Sequence, residues 1–140
     1  MFTYELVLSM NFKLQKSERL CADKLIKELF SEGSSFFLYP FKVVFLAKKE
    51  LEYQTNQVLF SVSKKKIRKA SGRNYIKRRL KEAYRLNKHV FTAKGVVLGF
   101  IFVGNPEMSF AEIEPKMKLV LEKLTKEFSQ NRFDNESKIN

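Results

Sequence analysis

Arg73, Asn74, Lys77, Arg78, Lys81 and Arg85 recur at short intervals in the stretch KASGRNYIKRRLKEAYR, residues 69–85, which holds a single acid, Glu82. Arg presents a planar fork that meets two phosphate oxygens at once, and Lys adds a compact point charge. The chemistry on offer is charge-assisted hydrogen bonding to a polyanion. A helix that is charged only for solubility interleaves Glu with Lys four residues apart. Here like charges crowd together instead, at a cost of roughly 0.2–0.5 kcal/mol per pair.

The chain offers little for catalysis of its own. Metal-dependent phosphodiester cleavage calls for clustered carboxylates, and the two aspartates, Asp23 and Asp134, stand far apart in the sequence. The one histidine, His89, follows the basic stretch, where an imidazolium complements a helix C-terminus more readily than it serves as a base. Neither a catalytic residue nor a protein metal site is expected.

The formal net charge is +12 over 140 residues. Between Lys64 and Lys88 stand twelve Lys or Arg and one Glu, a net +11, so everything else sums to +1. Charge gathered on one element is the electrostatic footprint of a phosphate-binding surface. Lys64, Lys65, Lys66 and Arg68 carry the run upstream, into a loop ahead of the helix.

Length and a 44% hydrophobic content fit one folded domain. Fourteen Phe exceed what a core of this size needs, so one or two exposed rings suited to base stacking are expected. The lone Cys21 can form no internal disulfide, which favours a reducing, cytoplasmic setting. The longest apolar run, GVVLGFIFVG at 95–104, is short of the ~20 residues that span a bilayer, so no membrane partner is expected. The opening MFTYELVLSM carries Glu5 and lacks a basic n-region, which makes it a poor signal peptide. Residues 1–9 are expected to be a disordered extension, 10–128 the domain and 129–140 a polar tail.

The elements that must position the basic residues follow from periodicity. Residues 17–30, SERLCADKLIKELF, read as a helix, with Leu25, Leu29 and Ile26, Phe30 at four-residue spacing and Gly33 as a stop. FKVVFLA at 41–47 reads as a strand after Pro40, and QVLFSVS at 57–63 as another, the polar 48–56 between them being a hairpin-like connection. A basic loop at 64–72 leads into the basic helix. Residues 95–104 read as a fully buried strand, and Ser109 with Glu112 as a capping box for a last helix to about Phe128. At 100° per residue, Ile76, Leu80, Ala83, Tyr84 and Asn87 share one arc of the basic helix, while Asn74, Lys77, Arg78, Lys81 and Arg85 share the opposite one. One face docks and the other offers cations. A helix-turn-helix protein places its recognition helix after another helix. This one follows a strand and a loop, which favours RNA over DNA.

The run FSVSKKKIRKASGRNYIKRRLKEAYRLNK, residues 60–88, resembles the bacterial ribonuclease P protein subunit, in which a strand ending S-V-S-K-K precedes a loop and an R-N-x-x-K-R helix. Arg73, Asn74, Lys77 and Arg78 match that pattern, and Lys81 stands where the family usually has Arg. Departures from it are Tyr75 for the third residue of R-N-R, Arg68 for a loop glycine, and Ile26 and Val44 where aromatics are frequent. The resemblance implies an α+β domain in the order α-β-β-β-α-β-α, with the basic helix as a left-handed crossover. It implies that a large RNA is the catalyst, removing 5′ leaders from precursor tRNA with Mg²⁺, and that the protein is its cofactor. Lys64, Lys65, Lys66, Arg68, Arg73, Asn74, Lys77, Arg78, Lys81 and Arg85 would then meet the catalytic RNA, and Ile26, Phe30, Lys42, Val44 and Ser61 would line a groove for the single-stranded leader. A ribosome-associated or other RNA-binding module without a processing role is the alternative, and a DNA-binding regulator a distant third.

Overall fold

A computed structural model describes residues 16–48 and 55–139, with side chains as far as Phe128. The expected extension at 1–9 and most of the 48–56 connection lie outside the described residues. The elements are α1 (Asp23–Glu32), β1 (Ser34–Leu38), β2 (Phe41–Ala47), β3 (Gln57–Val62), α2 (Ala70–Asn87), β4 (Val96–Phe102) and α3 (Phe110–Ile139), with 3-10 turns at Lys16–Glu18 and Lys88–Val90. This is the α-β-β-β-α-β-α order that the resemblance implied.

The strands form one sheet in the order β1-β2-β4-β3. β1 pairs with β2 and β2 with β4 in antiparallel fashion, whereas β3 and β4 run parallel, joined by α2 as the crossover. Beta2 and β3 therefore do not form the hairpin expected around 48–56. The apolar strand β4, buried on both faces at all but one position, takes the centre between them, where a strand with two apolar faces is shielded from water on both sides. Asn56 pins the junction, its amide donating to the Ala93 carbonyl at 2.6 Å and its Oδ1 accepting the Val96 N–H at 3.0 Å.

The other departures from the sequence expectation have local causes. The first helix starts at Asp23 instead of Ser17, because the residues before it lie along β3. Arg19 bridges Val58, the Leu20 N–H donates to the Val58 carbonyl at 2.9 Å, and the Leu20 side chain is buried. The basic helix starts at Ala70, so Gly72 lies in its first turn, not ahead of it. There Ile67 presses so close that a Cβ on Gly72 would stand 2.8 Å from Ile67 Cγ2. Beta1 has no clear alternation of its own and is defined by its pairing with β2. Alpha3 begins after Ser109, carries Pro115 in its second turn, and runs to Ile139, past Phe128 and into the polar stretch.

Strand alternation sorts the side chains onto two faces. Phe41, Val43 and Phe45 of β2, Val58, Phe60 and Val62 of β3, and Phe100 and Phe102 of β4 form the main core with α2 and α3. Each large side chain buried there contributes roughly 1.5–3 kcal/mol relative to exposure. The opposite face carries a smaller cluster, Leu20, Leu29, Val44 and Val97, under α1. Alpha1 approaches closely because β4 has Gly99 at the crossing, where a Cβ would sit 3.2 Å from Leu29 Cδ2. Only part of that face is covered.

Candidate nucleic-acid interface

Alpha2 buries Ile76, Leu80, Ala83, Tyr84 and Asn87, the same five residues that the helical period assigns to docking. Tyr84 packs edge-on to Phe60 at 5.8 Å between ring centroids, and burial, with the Glu18 charge adding to it, pushes its phenol well above the ordinary value. Asn87 is buried yet satisfied, its amide donating to the Ala83 carbonyl at 2.8 Å. Lys88 closes the helix by donating to buried Glu18 at 2.9 Å. With one face anchored in this way, the other is fixed in orientation.

That other face is cationic. Asn74, Arg78 and Lys81 are exposed, and Lys77 and Arg85 are half-buried. Arg85 forms an ion pair with Glu82, its Nε donating to Oε2 at 3.1 Å. The guanidinium holds the Glu82 carboxyl below the usual carboxylate range, and the carboxylate raises Arg85 in turn. Arg85 thus spends part of its charge within the helix, whereas Lys77, Arg78 and Lys81 have no ion pair among the described residues. The first turn of α2 contains no acid, unlike α1 with Asp23 and α3 with Glu112. The positive end of the helix dipole is left uncompensated and adds to the same potential.

The basic loop is folded against the start of α2. The Arg73 guanidinium donates to the carbonyls of Ile67 at 2.9 Å and Arg68 at 2.7 Å. Arg73 therefore shapes the loop as well as adding charge. The Ile67 N–H donates to the Ser63 carbonyl at 3.0 Å, Ser63 Oγ accepts from the Lys65 N–H, and Lys66 Nζ reaches the Val103 carbonyl at 2.7 Å. Lys64, Lys65, Lys66 and Arg68 are all exposed. Loop and helix together make one cationic surface, at the end of the sheet where β3 terminates.

The positions expected to line a groove lie on the sheet face that α1 only partly covers. Strand register sets Phe37, Lys42, Ile101 and Ser61 in one row across β1, β2, β4 and β3. Lys42 is exposed, Ser61 and Ile26 are half-buried, and Phe30, near the end of α1, is 50% exposed. Val44 is 5% exposed and belongs to the cluster beneath α1, so it supplies packing and no free wall. Phe37 does not stand out in the sequence, yet it is the most exposed large apolar side chain among the described residues, at 62%. The doublet Phe36-Phe37 hides which ring faces out, and register resolves it. Phe36 packs inward on Phe45 at 6.0 Å, and its neighbour must point the other way. Among the described residues no three His, Cys, Asp or Glu side chains gather into a metal-binding group. None of the described helices is long and apolar enough to cross a membrane.

An α+β domain with a cationic crossover helix on one side and a half-open sheet face with exposed rings on the other offers the two kinds of contact, to phosphates and to unpaired bases, that RNA-binding domains use. The sequence model of the ribonuclease P family matches residues 14–125, and the chain belongs to that family. Among curated relatives, the ribonuclease P protein component of Porphyromonas gingivalis is 46% identical over 79 residues, covering 56% of this chain and 58% of the relative. That of Clostridioides difficile is 32% identical over 104 residues, covering 74% and 88%. The chain thus spans 58% of the P. gingivalis relative. The RNase P protein of Staphylococcus aureus, whose structure is solved, superposes with a TM-score of 0.64 at 25% identity, covering 78% of this chain and 96% of that one.

Proposed function

We propose that this chain is the protein subunit of ribonuclease P, acting in the cytoplasm beside a catalytic RNA in the removal of 5′ leaders from precursor tRNA. The carrying observation is the outer face of α2, rigidly presented by a buried stripe and joined to the basic loop, on a scaffold shared with the family. Lys77, Arg78 and Lys81, with Lys64, Lys65 and Arg68 of the loop, neutralise phosphates and release condensed counterions, which supplies affinity without reading sequence. The leader lies across the row of Phe37, Lys42, Ile101 and Ser61, where stacking on Phe37 and Phe30 holds unpaired bases of any identity.

Any Mg²⁺ would be held by the RNA, where it would supply charge stabilisation for phosphodiester hydrolysis. The protein contributes by holding two polyanions, catalyst and substrate, side by side against their mutual repulsion. Reconstitution tests this reading. RNA-free protein with Mg²⁺ leaves precursor tRNA intact, and protein added to ribonuclease P RNA increases cleavage of precursor tRNA over that by the RNA alone. Cleavage by RNA-free protein, or purification from cells with ribosomal RNA in place of ribonuclease P RNA, overturns it.

A further inference from the structure

Tyr75 and Arg79 lie one turn apart at the edge of the cationic face of α2, with Arg78 beside them. Tyr75 is 47% exposed, beside the cations of that face. The Arg79 guanidinium lies over the ring, its Cζ 3.3 Å from the centroid. A carboxylate is within helical reach of Arg79, for Glu82 follows three residues later, yet Glu82 pairs with Arg85. Arg79 Nε is buried without a hydrogen-bond partner, and Arg79 makes no hydrogen bond or ion pair among the described residues. The cation is therefore held by the ring, with its donors unspent.

We propose that Tyr75, backed by Arg79, is a stacking site for one unpaired nucleobase of the bound RNA, with the Arg79 terminal nitrogens donating to the adjoining phosphate. The inference rests on the reading of α2 as the RNA-binding helix, and adds a stacking contact to a surface otherwise limited to phosphates. Exposure of nearly half the tyrosine beside a guanidinium that already covers one side of the ring leaves a flat apolar surface for a base. The cation behind the ring fixes its orientation before the RNA arrives, so little freedom is given up on stacking. Tyr75 stands where the resembled pattern has a third cation. At this position the chain exchanges a phosphate contact for a base contact, and Arg79 restores the charge one turn on.

Stacking and phosphate contacts differ in salt dependence, which separates them. Binding of the full chain to ribonuclease P RNA is measured across a salt titration for the parent, Tyr75→Ala, Tyr75→Leu, Tyr75→Phe and Arg79→Ala, with melting temperatures alongside. Tyr75→Ala and Tyr75→Leu should bind about 5- to 150-fold more weakly at every salt concentration, the range that alanine substitution of a stacked aromatic produces. Their slope of log affinity against log salt should be unchanged, and Tyr75→Phe should bind like the parent. Arg79→Ala should weaken binding and lower the slope by about 0.7, the single-strand value. Parental affinity for both Tyr75→Ala and Tyr75→Leu overturns the stacking site and leaves the pair as an interaction within the helix. The helix reading fails separately, if Lys77→Ala and Arg78→Ala leave the slope untouched.

Discussion

Leu80→Ala tests whether the orientation of the cationic face is set by the buried stripe. Leu80 is fully buried, in the centre of the apolar stripe of α2 and within the core that the helix shares with the sheet and α3. The substitution removes three carbons, a transfer loss of ~2.4 kcal/mol at about 0.8 kcal/mol per methylene. The void adds a further loss if its walls do not relax. One turn on, Tyr84 packs against both Phe60 and Phe100, which stack on each other at 5.6 Å and at 15° between ring planes. Such a wall collapses little, so the total belongs at ~3–4 kcal/mol, within the range measured for Leu→Ala in cores. At about 2–4 °C per kcal/mol for domains somewhat larger than this one, the melting temperature should fall by roughly 6–16 °C. Arg78→Ala on the opposite face is the control, expected within about ±0.5 kcal/mol of the parent. Urea titration and thermal unfolding of both variants provide the assay. A Leu80→Ala protein as stable as the parent, or an Arg78→Ala protein equally damaged, would refute the assignment of faces.

Tyr84 gives a pH dependence of known sign. Burial favours its neutral phenol, so the folded value is raised above the ordinary 10.0. Its contribution to stability is complete below pH ~10 and declines above it, by about 1.4 kcal/mol per pH unit while only the unfolded chain ionises. Denaturant titrations between neutral pH and pH 11 should show that loss in the parent and less of it in Tyr84→Phe; an identical alkaline slope in both would contradict it. On the half-open sheet face, Phe37→Ala should weaken holoenzyme binding of precursor tRNA with an unpaired leader by about 5- to 150-fold and leave mature tRNA unaffected. Equal effects on the two ligands would remove Phe37 from the leader path.

Alpha2 was legible in the sequence because both of its faces follow the 3.6-residue period. The five docked positions, Ile76 to Asn87, need no knowledge of their partners. Beta3 was legible for the same reason at period two, with Val58, Phe60 and Val62 buried in alternation. Segments whose structure depends on a distant partner were not. Leu20 suits a helical stripe as well as an anchor beside Val58, and only the hydrogen bond to β3 decides. Beta1 is held by β2, and the place of β4 between β2 and β3 is a property of the whole sheet. Of the candidate site, residue types and facing came from sequence. The division of labour did not, since Arg73 grips loop carbonyls, Arg85 pairs with Glu82 and Val44 lies under α1. Each of those depends on a neighbour that spacing does not reveal.

The central claim is that α2 binds ribonuclease P RNA through phosphates on its outer face. The most direct measurement is the salt dependence of that binding for the parent and for the triple variant Lys77→Ala, Arg78→Ala, Lys81→Ala. None of the three has an ion pair among the described residues, so none has charge committed within the fold. Removal of one cation from a phosphate lowers the slope of log affinity against log salt by about 0.7–0.9. The triple variant should therefore fall below the parent by roughly 2–3 in slope, with an unchanged melting temperature. A variant that keeps the parental slope and affinity would contradict the account and make α2 a solvated surface.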